Sequence, residues 1–294
     1  MKLIDALRSK DPAAIGYIAA WKIVGLLPTP MARWLFETAG ARVARKEGAT
    51  RYLRLNLARA VGKPASDVLV EQAMRSYARY WAEAFRLPVL SRHDLGERLD
   101  PHVTGREHLD ASLSKGKGVV LTLPHSGNWD MAGVWLVHHA GSFTTVAERL
   151  RPDVLFEAFV EFREELGFGV LAHAGAEPPF ERLQKVLLDG GIVCLLGERD
   201  LKGKGVPVKF FGEDTTFPAG PAQLALTTGA ALHTVDSHFT PNGWGFAISP
   251  PLDVDDLGST VQRIARNFEA SIAAHPEDWH MLQPVWLADR RSRK

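Results

Sequence analysis

A histidine and an aspartate stand five positions apart in PHSGNWD, residues 124–130, directly after the apolar run GVVLTL. His125 is of the residue type that titrates near neutral pH and takes a proton from a hydroxyl. On one continuous helix an offset of five is about 500°, so His125 and Asp130 would lie on different faces. With His125 in a loop and Asp130 in the first helical turn, the loop can fold the two together. A helix start also offers backbone N–H groups, here those around Ser126, Gly127 and Asn128, to a developing oxyanion. Such a set suits acyl transfer to an alcohol. The bland alternative is a histidine that only hydrogen-bonds within a strand–helix turn, and an isolated His/Asp pair does not separate the two.

Two further clusters carry charge. LLGERDLKGKG, residues 195–205, brings Glu198, Arg199 and Asp200 out of an apolar run. A carboxylate there can orient a histidine and stabilise its imidazolium form, and Lys202, Lys204 and the glycines can meet a phosphate. The competing reading is a solvated charged loop. TTVAERLRP places Glu148 and Arg149 at the end of another apolar run, with Arg163 fifteen residues after Glu148. Arginine suits bidentate phosphate or carboxylate contacts, and the competing reading is surface ion pairing. The rival nucleophiles lack context. Ser126 has no G-x-S-x-G elbow, and Cys194 sits inside an apolar run, where a structural thiol is expected. Metal-ligand spacing of the H-E-x-x-H type is absent, so no metal is expected.

The elements that must position these residues divide the chain in two. Residues 1 to about 100 are dominated by helix formers. The clearest helix is ASDVLVEQAMRSYARYWAEAF, with Ser66 or Asp67 as its cap and Val68, Val70, Ala73, Tyr77, Tyr80, Trp81 and Ala84 near helical spacing. From about residue 117 strands alternate with helices: GVVLTL, FTTVAE and GVLAHA are strand runs each followed by a helical pattern, and the strand IVCLLGE is followed by GVPVKFFG, PAGPAQLALTTG, AALHTVDSHFT, GWGFAIS and a long helix near 255–274. The expectation is an α/β fold, a mostly parallel or mixed sheet flanked by helices, as core 101–294 behind a helical region 1–100 in one continuous unit. In such folds chemistry sits at the carboxyl ends of strands, where 124–130 and 198–200 both fall.

Composition narrows the function class. The chain has 294 residues, 46% apolar and 23% charged, and a net charge of +1, which gives no bulk attraction to nucleic acid. One cysteine excludes an intramolecular disulfide. AAIGYIAAWKIVGLL, residues 13–27, is short for a span of about 20 apolar residues. Together with PMARWLFETAGARVARK it makes 13–46 a candidate interfacial segment, mixing apolar and aromatic with basic residues. Packing of both pieces on the protein's own core is the alternative.

Longer stretches carry a resemblance. PHSGNWD resembles the H-x4-D box of lipid acyltransferases that use acyl thioesters. RLNLARAVG, ERDLKGKGVPVKFFG and AGPAQLA resemble the lipid A biosynthesis (lauroyl/myristoyl) acyltransferase family. YARYWAEAFRLP, LPHSGNWDMAGVWLV, FTTVAERL and PEDWHMLQPVW are similar to the branch of that family acting on phosphatidylinositol mannosides. The resemblance covers nearly the whole chain. It implies a peripheral enzyme on the cytoplasmic face of the cell membrane. Such an enzyme moves a fatty acyl group, typically palmitoyl, from acyl-CoA as co-substrate to a mannose hydroxyl, without a cofactor. It implies His125 as base and Asp130 as the box aspartate. Glu198 pairs with the histidine in that branch, which leaves Asp130 or Glu198 as orienting carboxylate. Glu148 and Arg163, with Arg199 and Asp200, become substrate-side residues. A lipid A precursor as acceptor, or a non-catalytic lipid-binding protein, are the competing functions.

Overall fold

Runs of β-branched and aliphatic residues bounded by glycine are apolar on both faces, so a sheet built from them must be covered by helices on both sides. A computed structural model shows this arrangement and describes residues 16, 23–90, 94–147, 153–172, 179–200 and 203–291. Most of the first half of the 13–46 segment, with Glu148, Arg149 and Lys202, lies outside the described residues.

The N-terminal region is helical: α1 (Thr29–Ala44), α2 (Glu47–Ala60) and α3 (Asp67–Leu90). Helix α1 buries its small residues Ala32, Gly40, Ala41 and Ala44. A Cβ on Gly40 would stand 2.4 Å from the Met74 carbonyl oxygen, so glycine allows α1 its close approach to α3. Ser66 caps α3, its hydroxyl accepting from the Leu69 N–H at 3.2 Å. Val70, Ala73, Tyr80 and Ala84 face inward as their spacing implies, whereas Val68, in the first turn, points outward and is exposed. A short helix, α4 (Leu95–Leu99), links this region to the core.

The core alternates β1 (Val103–Thr104), α5 (Arg106–Leu113), β2 (Val119–Leu123), α6 (Trp129–Ala140), β3 (Phe143–Ala147), α7 (Asp153–Glu165), β4 (Phe168–Ala172), α8 (Pro179–Leu188) and β5 (Ile192–Leu196). It continues through β6 (Val206–Phe210), β7 (Glu213–Phe217), α9 (Gly220–Thr228), β8 (Ala231–Thr240), β9 (Gly243–Ile248), α10 (Leu257–Ala274) and α11 (Leu287–Arg291). Seven strands form one sheet in the order β1-β9-β8-β2-β5-β3-β4. β8, β2, β5, β3 and β4 pair in parallel, while β9 returns antiparallel from β8 and carries β1 at the edge. The sheet is thus mixed but mostly parallel. Strands β6 and β7 stand apart as an antiparallel hairpin closed by Phe211 and Gly212, both at positive φ as a two-residue turn of this kind requires.

One detail of register places the site. β2 and β5 are neighbours with Leu123 opposite Leu196. Two residues beyond each strand, at the same carboxyl edge, come His125 and Glu198.

Candidate active site

The turn that carries His125 is bound on several sides. Gly127 has φ +58°, and a Cβ there would stand 2.5 Å from the Ser237 carbonyl oxygen, so only glycine fits without a shift. The Asn128 side chain caps α6 by accepting from the Met131 N–H at 3.1 Å. Its amide group donates to Glu83 at 2.6 Å. Glu83 also accepts from Trp244 at 2.7 Å and from Arg79 at 2.9 Å, so a buried, fully paired network ties α3 to the start of α6. From the other side the segment after α10 lies against the turn. His280 N–H donates to the His125 carbonyl at 2.7 Å, Gly127 N–H donates to the Asp278 carbonyl at 2.9 Å, and Ser126 and Trp279 form an antiparallel bridge.

Glu198 is fully buried beneath His125. Its carboxylate accepts the His125 backbone N–H at 2.6 Å, and both its oxygens lie 3.0 Å from the ring Nδ1. The Trp279 indole N–H completes the set at 3.4 Å. Burial by itself would raise the carboxyl's pKa. The facing His125 and the hydrogen bonds from its ring and amide outweigh burial and hold Glu198 below the ordinary value. An ionised carboxylate only accepts, so the proton on the His125 ring sits on Nδ1 and the Nε2 lone pair is bare. That is the tautomer a general base requires.

Asp130 does a different job. Its carboxylate takes Arg163 in a bidentate pair, at 2.9 and 3.1 Å, and the Tyr80 hydroxyl at 3.2 Å. Both side chains of the pair are mostly buried. Burial would depress the Arg163 pKa, but Asp130 raises it, so the guanidinium stays charged. Burial, then Asp130, likewise drives the Tyr80 phenol upward. The carboxylate that orients His125 is therefore Glu198 and not Asp130, and Arg163 braces α7 to α6 rather than presenting its fork to a ligand.

Two more expectations are corrected. The N–H groups of Ser126, Gly127 and Asn128 donate to Pro124 O, Asp278 O and Ser237 Oγ, so none is left to hold an oxyanion. Asp200 is expended on the loop after β5. It accepts from Gly205 N–H and Thr216 Oγ1, each at 2.7 Å, and from Lys204 N–H at 3.3 Å, with Arg290 at 3.9 Å. Arg199 stays at the site.

His125 borders two cavities. One of about 390 Å³ runs past Trp129, Tyr80, Arg163 and His280 into an apolar interior lined by Leu121, Phe143, Cys194 and Phe246. The other, about 410 Å³, is lined by Phe180, Leu183, Pro218, Pro221 and Leu224. Arg199 borders both. Cys194 faces the first, but burial pushes its thiol far above the ordinary value and keeps it protonated. Sequence reasoning missed Tyr80, Glu83, Trp279 and His280 as site residues. The stretches YARYWAEAFRLP and PEDWHMLQPVW contain them, but signalled them only through resemblance.

Among the described residues, those near enough to share a cation are Asp236, His238 and His275, or His275, Glu277 and Asp278. The His238 and His275 rings stack 3.9 Å apart at 10°, so their in-plane lone pairs run parallel instead of converging. Nδ1 of His238 is already bonded to Asp236 at 2.8 Å. Neither group includes His125.

Comparison with known proteins accords with this geometry. Residues 11–288 match the family described as bacterial lipid A biosynthesis acyltransferase. The chain is 53% identical over 289 residues to a phosphatidylinositol mannoside acyltransferase of Mycolicibacterium smegmatis, spanning 95% of this chain and 94% of the relative. It is 50% identical over 279 residues to the protein of the same name in Mycobacterium tuberculosis, spanning 93% and 88%.

Proposed function

The chain belongs to the bacterial lipid A biosynthesis acyltransferase family, and from that premise we propose that it transfers a fatty acyl group, palmitoyl by preference, from acyl-CoA to a mannose hydroxyl of a phosphatidylinositol mannoside. The observation that carries the reading is the buried Glu198 holding His125 with Nε2 bare at the junction of two cavities. The relatives' names support the acceptor.

In the proposed reaction Nε2 of His125 removes the proton of the acceptor hydroxyl. The oxygen attacks the thioester carbonyl, an ester C–O bond forms and the C–S bond breaks. The imidazolium, stabilised by Glu198, returns its proton to the departing thiolate. Neither Ser126, whose hydroxyl is buried without a hydrogen-bond partner among the described residues, nor the protonated Cys194 is activated as a nucleophile. The route is then a single displacement with donor and acceptor bound together. The apolar interior of the first cavity suits an acyl chain, and Arg199 suits a phosphate of either substrate.

The same proposal places the protein on the cytoplasmic face of the membrane. Leu26, Trp34, Leu35, Met31 and Ile23 are exposed, as are Arg42, Arg45 and Lys46 further along the same segment. This apolar and aromatic surface, followed by basic residues, suits the plane of an anionic lipid interface. Among the described residues no helix is long and apolar enough to cross a membrane.

The test is product formation from acyl-CoA with and without the mannoside lipid, read by mass spectrometry. Acylated glycolipid should appear and should fall about 10²–10⁴-fold in a folded His125→Ala variant. A variant retaining more than about a tenth of the wild-type rate would remove His125 from its role. Transfer to a lipid A precursor but not to the mannoside would change the acceptor.

A further inference from the structure

The hairpin of β6 and β7 takes no part in the main sheet, yet its base reaches the site. The contact is made by Asp200, two residues after the orienting Glu198. Oδ2 of Asp200 accepts the Gly205 N–H, just before β6, and the Thr216 hydroxyl of β7, each at 2.7 Å. Oδ1 accepts the Lys204 N–H at 3.3 Å. Thr216 accepts in turn from Arg290 of α11 at 3.1 Å. That helix is itself held. Asp289 pairs with Arg59 of α2 at 2.7 Å, and just ahead of α11 the Trp286 indole donates to the Phe210 carbonyl at 3.0 Å. A Cβ on Gly205 would stand 2.3 Å from the Phe217 carbonyl oxygen and 2.9 Å from Asp200 Oδ2, so the approach is open to glycine alone. The Asp200 side chain is only 6% exposed and is bonded at both oxygens, which makes it a fixed anchor.

The anchor holds a pair of cations. Arg199 precedes Asp200 in the chain, Lys204 is bound to it through the backbone, and both line the second cavity with His125. Among the described residues they are the only lysine or arginine on a lining that is otherwise mostly apolar. Lys204 is exposed, and a long side chain costs entropy to order. Fixing the amide at its base removes part of that cost before a ligand arrives. A planar guanidinium beside a compact ammonium suits a phosphate ester. To hold the hairpin alone, the bonds to Gly205 and Thr216 suffice. The bond to the Lys204 amide serves the cavity side.

We infer that Asp200 is a positioning residue for anion binding at the second cavity: it fixes the backbone of Lys204 so that the Lys204 ammonium and the Arg199 guanidinium meet one substrate phosphate together. The inference rests on the acyltransfer reading above, in which donor and acceptor both carry phosphate, and it adds residues to which that reading gives no task.

Asp200→Asn separates the two jobs of the carboxylate. Gly205 N–H and Arg290 only donate, so the amide carbonyl must take the Oδ2 position, and the hairpin stays anchored. The NH₂ then opposes the Lys204 N–H and releases it. Titration calorimetry on the full chain, with coenzyme A in one arm and the deacylated headgroup glycerophosphoinositol mannoside in the other, shows which phosphate is held. Affinity for that ligand should fall about threefold to fivefold in Lys204→Met, as one exposed cation–anion contact implies, and by the same factor in Asp200→Asn. The double variant should lose no more than either single one, whereas independent roles would multiply to about ninefold to twenty-five-fold. Pantetheine and methyl mannoside, which lack phosphate, should bind every variant as they bind wild type. In turnover the loss should fall on KM for the same substrate and not on kcat. Unchanged affinity of a folded Asp200→Asn for both phosphate ligands, a multiplicative double variant, or a parallel loss of pantetheine binding overturns the inference and leaves the acyltransfer reading standing. A wild-type chain that binds neither phosphate ligand overturns that reading and the inference with it. If Asp200→Asn does not fold, Asp200→Glu, whose carboxylate is displaced by one methylene, takes its place with the same expectations.

Discussion

Replacing Glu198 with glutamine tests the whole logic of the site, because it keeps shape and removes only charge and one acceptor. Oε1 of Glu198 serves three donors: the His125 backbone N–H at 2.6 Å, the ring Nδ1 at 3.0 Å and the Trp279 indole at 3.4 Å. Oε2 faces Nδ1 alone, at 3.0 Å. In Glu198→Gln the carbonyl oxygen must take the first position, since an NH₂ there would oppose an N–H at hydrogen-bonding distance. The NH₂ then occupies the second position and points at Nδ1. It becomes a donor to that nitrogen, and the ring proton moves to Nε2, the atom that must be bare. A neutral amide that enforces the wrong tautomer in a related triad costs about 10⁴ in kcat. At 1.36 kcal/mol per tenfold this is about 5.4 kcal/mol of transition-state stabilisation.

Stability should change far less. Each charge-assisted bond weakens from about 1.5–3 to about 0.5–1.5 kcal/mol, a loss offset in part because a neutral amide costs less to bury than a carboxylate. The pH dependence has a definite sign. Glu198 is held below its ordinary value of 4.5 in the folded state. Its contribution is therefore present above about pH 4.5 and is lost as pH falls through the lower folded value. Wild type should lose stability there by a component that Glu198→Gln lacks, so their urea-unfolding curves should converge in acid. The activity assay is the initial rate of acyl-CoA consumption with mannoside present, on protein whose unfolding midpoint has been measured. A folded Glu198→Gln retaining more than a tenth of the wild-type rate would refute the tautomer argument.

Three further outcomes follow from other parts of the structure. Arg163→Ala strands the Asp130 carboxylate in the interior and should cost about 3–5 kcal/mol in urea unfolding. The double change Asp130→Leu with Arg163→Met should recover most of that loss, and failure to recover would mean the pair does more than brace α7 to α6. Gly127→Ala forces a side chain into φ +58° and against Ser237, and should cost about 1–3 kcal/mol with loss of activity, since the same turn carries His125. Full stability in that variant would show that the turn can relax. Trp34→Ser with Leu35→Ser should weaken binding to anionic vesicles in co-sedimentation, and unchanged binding would place the membrane contact elsewhere.

The fold was largely legible because its strands are short apolar runs closed by glycine or proline and its helices carry strong formers. FTTVAE and IVCLLGE needed no partner to be recognised as strands, since each is a short apolar or β-branched run. What local pattern omits is pairing. Nothing within β9 says that it runs against β8, and nothing within the two residues of β1 marks them as a strand at all. The strand EDTTF, β7, was illegible for another reason. Its outer residues are exposed and acidic, and it is a strand only because the turn at Phe211 and Gly212 folds it back on β6.

The site divides along the same line. His125 announced itself by position, at the end of a buried run and the start of a helix. Its partner could not be chosen from spacing, because Asp130 is near in sequence whereas Glu198 is near through register: β2 and β5 lie side by side with Leu123 opposite Leu196. Sequence proximity misleads here for a physical reason. A residue in the first turn of α6 projects from the helix toward whatever packs against it, and α3 and α7 supply Tyr80 and Arg163 there. A residue at the end of a neighbouring parallel strand projects into the same edge as the first. In a mostly parallel sheet, candidate catalytic partners are therefore better sought at equal distances past the ends of apolar runs than within one motif. His280 shows the limit of that rule, since it enters the site from no strand end. It comes from the segment after α10, which bridges to Ser126 through backbone hydrogen bonds that any side chain could make. Such a residue leaves no periodic trace, and its hydrogen bonding becomes visible only once Ser76 and Asp278 are placed beside it.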